Sequence, residues 1–326
     1  MIEFSSETKI LFLQKPEILE KQRDQARNLI GKIFPENPLY FAGNPEDIVE
    51  GLEVDIIITP TLEWLPMALS KLEGYKWIHF LSAGVEKIWD MQFEKTGILL
   101  TKSSGVNSVP MSEYAMGAML FFAKQFGRFI EQSQKKTWDR EWLDELTGRT
   151  LLILGLGHVG QAVAEKANAF GMRVIGMQRR PRDIPGVEVI VPPERIRELL
   201  PEADYLVVSL PLTSNTTRFV DKDFLAAVKP GCVLIDMSRG GVVSESAIIE
   251  ALDEKRLRGA ALDVFEKQPL SEDSMLWARN DVLLTPHVSG TTPYYLQRAL
   301  EIFIENVCEL KASGNPLTTV NVSAGY

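Results

Sequence analysis

The stretch LLILGLGHVGQAV, residues 151–163, constrains the fold more than any other in the chain. It opens as an apolar run, breaks into glycines at 155, 157 and 160, and continues with helical character. A strand, a glycine turn and a helix in that order form the setting in which GxGxxG reads as a dinucleotide fingerprint. Gly155 permits the tight turn, Gly157 lets the backbone approach a pyrophosphate, and Gly160 lets helix and strand pack closely. At the helix start the backbone N–H groups of His158, Val159 and Gly160, with the positive end of the helix dipole, face the phosphates. The competing reading is a plain strand-to-helix turn.

The rest of the chain repeats this βα rhythm. Short apolar runs at 9–14 (KILFLQ), 54–60, 76–84 and 97–103, together with PLYFAG, read as strands bounded by Gly, Pro or Ser. A polar helix is expected near 17–32, with shorter helical stretches near 45–51 and 64–72. Over 110–134 the apolar spacing is helical for several turns, and the polar, Trp-bearing stretch KKTWDREWLDELTG follows at 135–148. A second series of strands then begins at TLLILGLG and runs through 172–178, 203–212, 231–238, 259–265 and 281–289, before a last helix after Thr291. Such alternation implies parallel sheets covered by helices. The expected fold class is α/β, with two Rossmann-like open parallel-sheet domains and an interdomain cleft.

Bulk properties narrow the partners. The 326 residues suit two domains. A formal net charge of −9 removes the basic footprint that a nucleic-acid binder needs. No apolar stretch approaches the roughly 20 residues of a membrane span, and MIEFSSETKI shows no signal-peptide pattern. Cys232 and Cys308 form no CxxC pair, so no metal site is expected and both read as packed thiols. A reducing, cytoplasmic compartment is the expectation.

The strand after the glycine loop departs from the NAD pattern. An acidic residue about 20 positions on would hold the adenosine ribose, but the chain runs VIGMQRRPR, with Gln178, Arg179, Arg180 and Arg182. A carboxylate would repel a 2′-phosphate, whereas arginines bind one with bidentate geometry. NADP(H) is therefore the expected cofactor and NAD(H) the alternative.

Three further strings, LPLTSNTTRFVDKDFLAAVKPGCVLIDMSRGGVV (210–243), GAALDVFEKQPL (259–270) and LLTPHVSG (283–290), are spaced as in the D-isomer-specific 2-hydroxyacid dehydrogenase family. With LSAGVEKI and VPMSEYAMGAML upstream, the resemblance covers nearly the whole chain. The double-arginine loop and PMSEY look most like its NADPH-preferring glyoxylate/hydroxypyruvate reductase branch. The resemblance implies that Arg239 clamps the substrate carboxylate and polarises the 2-oxo group, and that His287 is the acid/base. It implies that Asp263 lies near the nicotinamide carboxamide, and that Ser82, Ala83, Gly84 and Val85 receive the carboxylate on backbone N–H groups. Leu210, Pro211, Thr216, Met237 and Ser238 would line the cofactor beside Arg239 and His287. It further implies a discontinuous substrate domain, residues 1–103 and 292–326, around an inserted dinucleotide-binding domain, residues 104–291, and a homodimer formed through the 112–130 helix and the Trp-bearing stretch.

Chemistry supports the two central roles independently. A 2-oxo acid needs a fixed cation, which Arg supplies as a rigid fork, and a proton donor titrating near neutrality, which points to His. Of the three histidines, His79 sits in an apolar strand and His158 in the glycine loop, whereas His287 follows a strand end, where ligands of open sheets gather. Trp64, Leu65 and Met67 are candidate substrate walls or core.

One position breaks the family pattern. Where a glutamate would precede the proline and pair with the histidine, DVFEKQP has Gln268. An amide can orient an imidazole but cannot stabilise imidazolium by charge, so rate and pH profile are expected to differ. Glu266, two residues earlier, would share its face if the segment is extended. Two functions follow: an NADPH-dependent reductase of small 2-oxo acids, or a dinucleotide-sensing regulator with little turnover.

Overall fold

Two parallel sheets absorb the apolar runs. The computed structural model describes residues 4–320. The ends of the first expected domain, residues 1–3 and 321–326, lie outside the described residues. The chain divides into two units: one joins the residues up to Asn107 with those from Thr292 on, and the other runs from Ser108 to Thr291.

The first unit contains β1 (Ile10–Leu13), β2 (Leu39–Ala42), β3 (Leu52–Glu53), β4 (Ile56–Thr59), β5 (Leu72–Gly74), β6 (Trp77–Phe80) and β7 (Leu99–Lys102). Helices α1 (Pro16–Ile30) and α2 (Leu65–Ser70) intervene. The five-stranded sheet has the order β2-β1-β4-β6-β7, and β3 and β5 form a separate pair. β1, β4 and β6 are buried at every position, while the edge strand β2 is buried only at Ala42. Strands covered on both faces need apolar residues throughout, which is why the sequence shows runs there and no alternation.

In the second unit α3 (Ser108–Ala123) and α4 (Phe126–Lys135) lead into β8 (Thr150–Leu154) and α5 (His158–Ala169). There follow β9 (Arg173–Met177), β10 (Val189–Val191), β11 (Tyr205–Val208), α6 (Lys222–Ala226), β12 (Cys232–Asp236), α7 (Glu245–Asp253), β13 (Leu257–Leu262) and β14 (Val282–Leu284). The seven strands are ordered β10-β9-β8-β11-β12-β13-β14. The direction of winding therefore reverses between β8 and β11, which makes that point the ligand crevice of a doubly wound sheet. One face of this sheet packs on α3 and α5 through Met116, Met119, Val163 and Ala167, and the other on α6 and α7 through Phe224, Leu225, Ile248 and Leu252. Helix α8 (Tyr295–Ser313) returns to the first unit, where Leu296, Leu300 and Phe303 share a core with Ala26 and Ile30 of α1.

Two expectations are corrected. The 110–134 helix is two helices, broken where Gln125 takes a left-handed φ of 51°. Gly127 then lies so close to the Phe121 ring that an added Cβ would stand 3.0 Å away. Both sheets reverse their winding beside their first strand, and they differ in that one strand, β2, lies on the far side of β1 where two, β9 and β10, lie on the far side of β8. Finally, Cys308 is exposed, one residue past the buried Val307 on the apolar face of α8. Cys232 is buried as expected, and burial pushes its thiol up to about 12.

His79 is a packed histidine. It is fully buried, with Nδ1 at 2.7 Å from Thr101 Oγ1 and Nε2 at 3.0 Å from Ser103 Oγ. Burial lowers its pKa to about 3, so the ring is neutral at ordinary pH.

Candidate active site

Each glycine of the fingerprint meets a separate steric demand. Gly155 has φ of 100°, and a Cβ there would stand 3.1 Å from Ser209 O, on the chain leaving β11. Gly155 N and Leu156 N both donate to Met177 O at 3.2 Å, which pins the loop between β8 and β9. A Cβ at Gly160 would lie 2.0 Å from Gly155 O, so no other residue fits. At Gly157 the same atom would meet nothing within 4 Å. That exposed, open position precedes the first turn of α5, where the N–H groups of His158, Val159 and Gly160 have no intrahelical acceptor. Anionic phosphates suit such a cradle.

The end of β9 supplies the next element. Gln178 donates from Nε2 to Leu156 O at 3.3 Å, while its Oε1 is buried without a hydrogen-bond partner. A buried acceptor lacking a donor costs about 1–3 kcal/mol, and a ribose hydroxyl would satisfy it. Arg179, Arg180 and Arg182 follow on exposed chain. Glycine cradle, orphaned amide oxygen and arginines together fit an adenosine dinucleotide. On the β11 side Leu210 is buried, with its side chain at Gly155, and Thr216 donates to Pro211 O at 2.6 Å, closing the loop. The side chains of Met237 and Ser238 are buried, so what they offer a ligand is backbone.

The chemistry-bearing residues follow the C-terminal ends of three adjacent strands. At the end of β12, Asp236 Oδ1 accepts from Ser238 N at 3.0 Å and from Ser238 Oγ at 2.5 Å, and beyond it Arg239 donates from Nη1 to Ser238 O at 2.8 Å. A Cβ at Gly240 would stand 1.8 Å from Phe265 O, so the arginine loop rests directly on the chain that follows β13. That chain carries Gln268, whose Oε1 lies 2.9 Å from His287 Nδ1. His287 itself follows β14, is exposed, and has a left-handed φ of 56°. A cavity of about 610 Å³ opens beside it, walled by Phe265, Leu270, Trp277 and Leu284.

One expectation changes here. Glu266 does not turn to the histidine: Oε1 accepts from Glu245 N at 3.2 Å and Oε2 is 3.9 Å from Arg218. Asp263 is fully buried, and its carboxylate is occupied by Thr285 Oγ1, Val288 N and Ser289 N at 2.6–2.9 Å. Tyr114 joins the same cluster through Thr285 at 2.8 Å. Tyr114, Thr285 and Asp236 lie within the strings that carry the resemblance, but nothing local pairs Tyr114 with Thr285, which are 171 residues apart.

Burial raises the Asp236 carboxyl to about 7, against hydrogen bonds from Ser238 that lower it, with Asp263 adding to the rise. A carboxyl raised on folding stabilises the native state fully below 3.8, the unfolded value, and that contribution is lost as pH climbs through about 7. Asp236→Asn keeps the acceptor oxygen and removes the buried charge. Its melting temperature should exceed the parent's at pH 8 by a margin larger than at pH 5, on the order of a few kcal/mol in stability. A difference that is the same at both values would show that Asp236 does not titrate there.

In the first unit Ser82, Ala83 and Gly84 are half-buried and Val85 is buried on the loop that leaves β6. Ser82 Oγ is 3.2 Å from Thr61 Oγ1 on the loop after β4, a partner the sequence does not indicate. Leu65 is core, Trp64 packs against it and Met67 is exposed. Among the described residues no group of His, Cys, Asp and Glu could hold a metal ion, and no helix is long and apolar enough to cross a membrane.

Sheet order and glycine loop define a Rossmann-type dinucleotide-binding protein. The family model described as D-isomer specific 2-hydroxyacid dehydrogenase, NAD binding domain, matches residues 116–289. The chain is 33% identical over 245 residues to a D-3-phosphoglycerate dehydrogenase of Methanocaldococcus jannaschii, covering 73% of this chain but 46% of that longer protein. It is 30% identical over 274 residues to glyoxylate/hydroxypyruvate reductase A of Serratia proteamaculans, covering 81% of this chain and 87% of the relative. Among solved structures, an NADPH-dependent glyoxylate/hydroxypyruvate reductase from Sinorhizobium meliloti, in complex with NADP and sulfate, superposes with a TM-score of 0.81 at 26% identity. That match covers 98% of this chain and 100% of the other. The chain belongs to the D-isomer-specific 2-hydroxyacid dehydrogenase family of NAD(P)-dependent oxidoreductases, on the side of its glyoxylate/hydroxypyruvate reductases.

Proposed function

We propose that the protein is an NADPH-dependent reductase of small 2-oxo acids of the glyoxylate or hydroxypyruvate kind, giving the D-2-hydroxy acid. The observation that carries this reading is the His287–Gln268 pair at 2.9 Å, with Gln268 carried on the chain against which Gly240, next to Arg239, is packed. When bound, the nicotinamide supplies the hydride. Arg239 binds the substrate carboxylate and polarises the carbonyl. Gln268 Nε2 donates to Phe265 O at 3.4 Å, which turns Oε1 toward the imidazole. An amide oxygen only accepts, so Nδ1 of His287 keeps its proton and Nε2 is the nitrogen that delivers one to the developing alkoxide. A sensor without turnover has no use for this donor, which weighs against the regulatory reading. The part of Ser82–Val85 in carboxylate binding rests on the family resemblance.

Arg179 and Arg180 would receive the 2′-phosphate and Gln178 Oε1 a ribose hydroxyl. One charge-assisted contact is worth about 1.5–3 kcal/mol, or roughly ten- to hundredfold in selectivity. Measured with glyoxylate and hydroxypyruvate, kcat/KM should favour NADPH over NADH by that factor and lose the preference in Arg179→Ala and Arg180→Ala. Equal efficiency with the two cofactors in the parent protein would remove the basis for the assignment.

We also propose a homodimer. Trp138 and Trp142 are 92% and 98% exposed, and Phe126 and Ile130 on α4 are 50% and 56% exposed. Apolar surface gathered in this way marks an association site. Sedimentation velocity should give twice the 36.6 kDa of one chain, and a parent protein sedimenting as a single chain would rule the dimer out.

A further inference from the structure

The His287 turn is held in a conformation that a histidine adopts at a cost. A left-handed φ of 56° is disfavoured for an L residue with a ring side chain and persists only where its surroundings over-determine it. Those surroundings converge on one group. Asp263 Oδ1 accepts from Val288 N at 2.8 Å and from Thr285 Oγ1 at 2.6 Å, and Oδ2 accepts from Ser289 N at 2.9 Å. The carboxylate thus grips the turn two residues before His287 and at both residues after it. The turn is also closed by His287 N, which donates to Thr285 O at 3.0 Å.

The grip extends to another element. Because the Thr285 hydroxyl gives its proton to Asp263, the contact of 2.8 Å between Tyr114 and Thr285 must run from the phenol to the threonine oxygen. Burial raises the Tyr114 phenol to about 12, so it remains a donor across the working pH range. Tyr114 stands on α3, a helix whose Ala115, Met116 and Met119 are packed in the core. The chain of donors therefore ties a strained exposed turn to a buried helix.

We infer that Tyr114, Thr285 and Asp263 form a positioning relay that sets the direction of the His287 imidazole, Asp263 being the group that holds the histidine turn. This rests on the reading of His287 as proton donor. The relay leaves Nε2 of the ring free, since Gln268 holds only Nδ1, and misplacing a proton donor by a fraction of an ångström is enough to slow turnover.

Thr285→Val keeps the shape of the side chain and removes the hydroxyl, whereas Thr285→Ser keeps the hydroxyl and removes the methyl. If the hydroxyl is what matters, Thr285→Val should lower kcat about tenfold, with the NADPH dissociation constant, read by fluorescence titration, within about twofold of the parent. Thr285→Ser should keep near-parent kcat. In a His287→Ala background, Thr285→Val should cost nothing further, because a residue acting through another is silent once that other is gone. Tyr114→Phe, a milder change that should leave the melting temperature near the parent's, should lower kcat about threefold with the same dependence on His287.

A serine variant worse than the valine variant would assign Thr285 to packing. Equal losses in both backgrounds, or weakened NADPH binding in step with kcat, would overturn the relay, and so would an unchanged kcat in Tyr114→Phe. A His287→Ala protein with parent turnover would instead refute the proposed function.

Discussion

Arg239→Lys is expected to lower kcat/KM for glyoxylate by about 10²–10³-fold while NADPH affinity stays within about twofold of the parent. The loss follows from geometry, since charge is conserved. Arg239 Nη1 is committed to Ser238 O at 2.8 Å, which fixes one end of the guanidinium. A planar group with five donors can hold that bond and still present a fork to a carboxylate, whereas an ammonium is a point charge on a flexible stem. The backbone beneath is equally constrained, because Gly240 lies against Phe265 O too closely for any Cβ. The lysine cannot recover the lost direction by shifting its loop. The measurements are steady-state kinetics with both substrates varied and a separate cofactor titration. Turnover near the parent level would mean that another cation binds the carboxylate.

The second large effect belongs to His287. Removing a general acid costs about 10²–10⁴-fold, so His287→Ala should fall by that factor in kcat at neutral pH. The pH profile then tests its partner. Reduction needs the ring protonated, so activity declines as pH rises, and a carboxylate at position 268 would favour the charged ring where an amide cannot. Gln268→Glu should therefore move the alkaline limb of kcat/KM upward, by about one unit or more. Glu266→Gln should leave the limb in place, because Glu266 is engaged with Glu245 N and Arg218. If Gln268→Glu has no effect and Glu266→Gln lowers the limb, the missing charge is supplied by Glu266 after all. If neither moves it, His287 is not the titrating acid.

Much of the fold is legible in the sequence because its signals are local. The apolar runs of β1, β4, β6 and β8 are unbroken because both faces of those strands are covered. The glycine loop is equally local, since Gly155, Gly157 and Gly160 answer to one turn of chain. Arg239, Gln268 and His287 could be read as a set only through the family resemblance, and the structure places them after β12, β13 and β14, which are neighbours in one sheet. The strand β10 was not legible: three residues, Val189–Val191, are too few to show a period.

What the tertiary structure alone decided concerns pairs far apart in sequence. Strand order differs between the two sheets although their local patterns look alike, because order is set by which strands meet and not by what each contains. The exposure of Cys308 depends on which face of α8 is covered. The direction of Glu266 was decided by the start of α7 and by Arg218, neither of which is adjacent in sequence. Tyr114 and Thr285 are separated by 171 residues and Asp263 and Ser289 by 26. Periodicity and propensity act within a few turns of chain, whereas a hydrogen bond between side chains needs two loops to arrive at the same point. The sequence alone therefore determined the parallel α/β class, the dinucleotide loop and the residue types the chemistry needs; which carboxylate holds the histidine turn, and which one faces away from it, was decided only by packing.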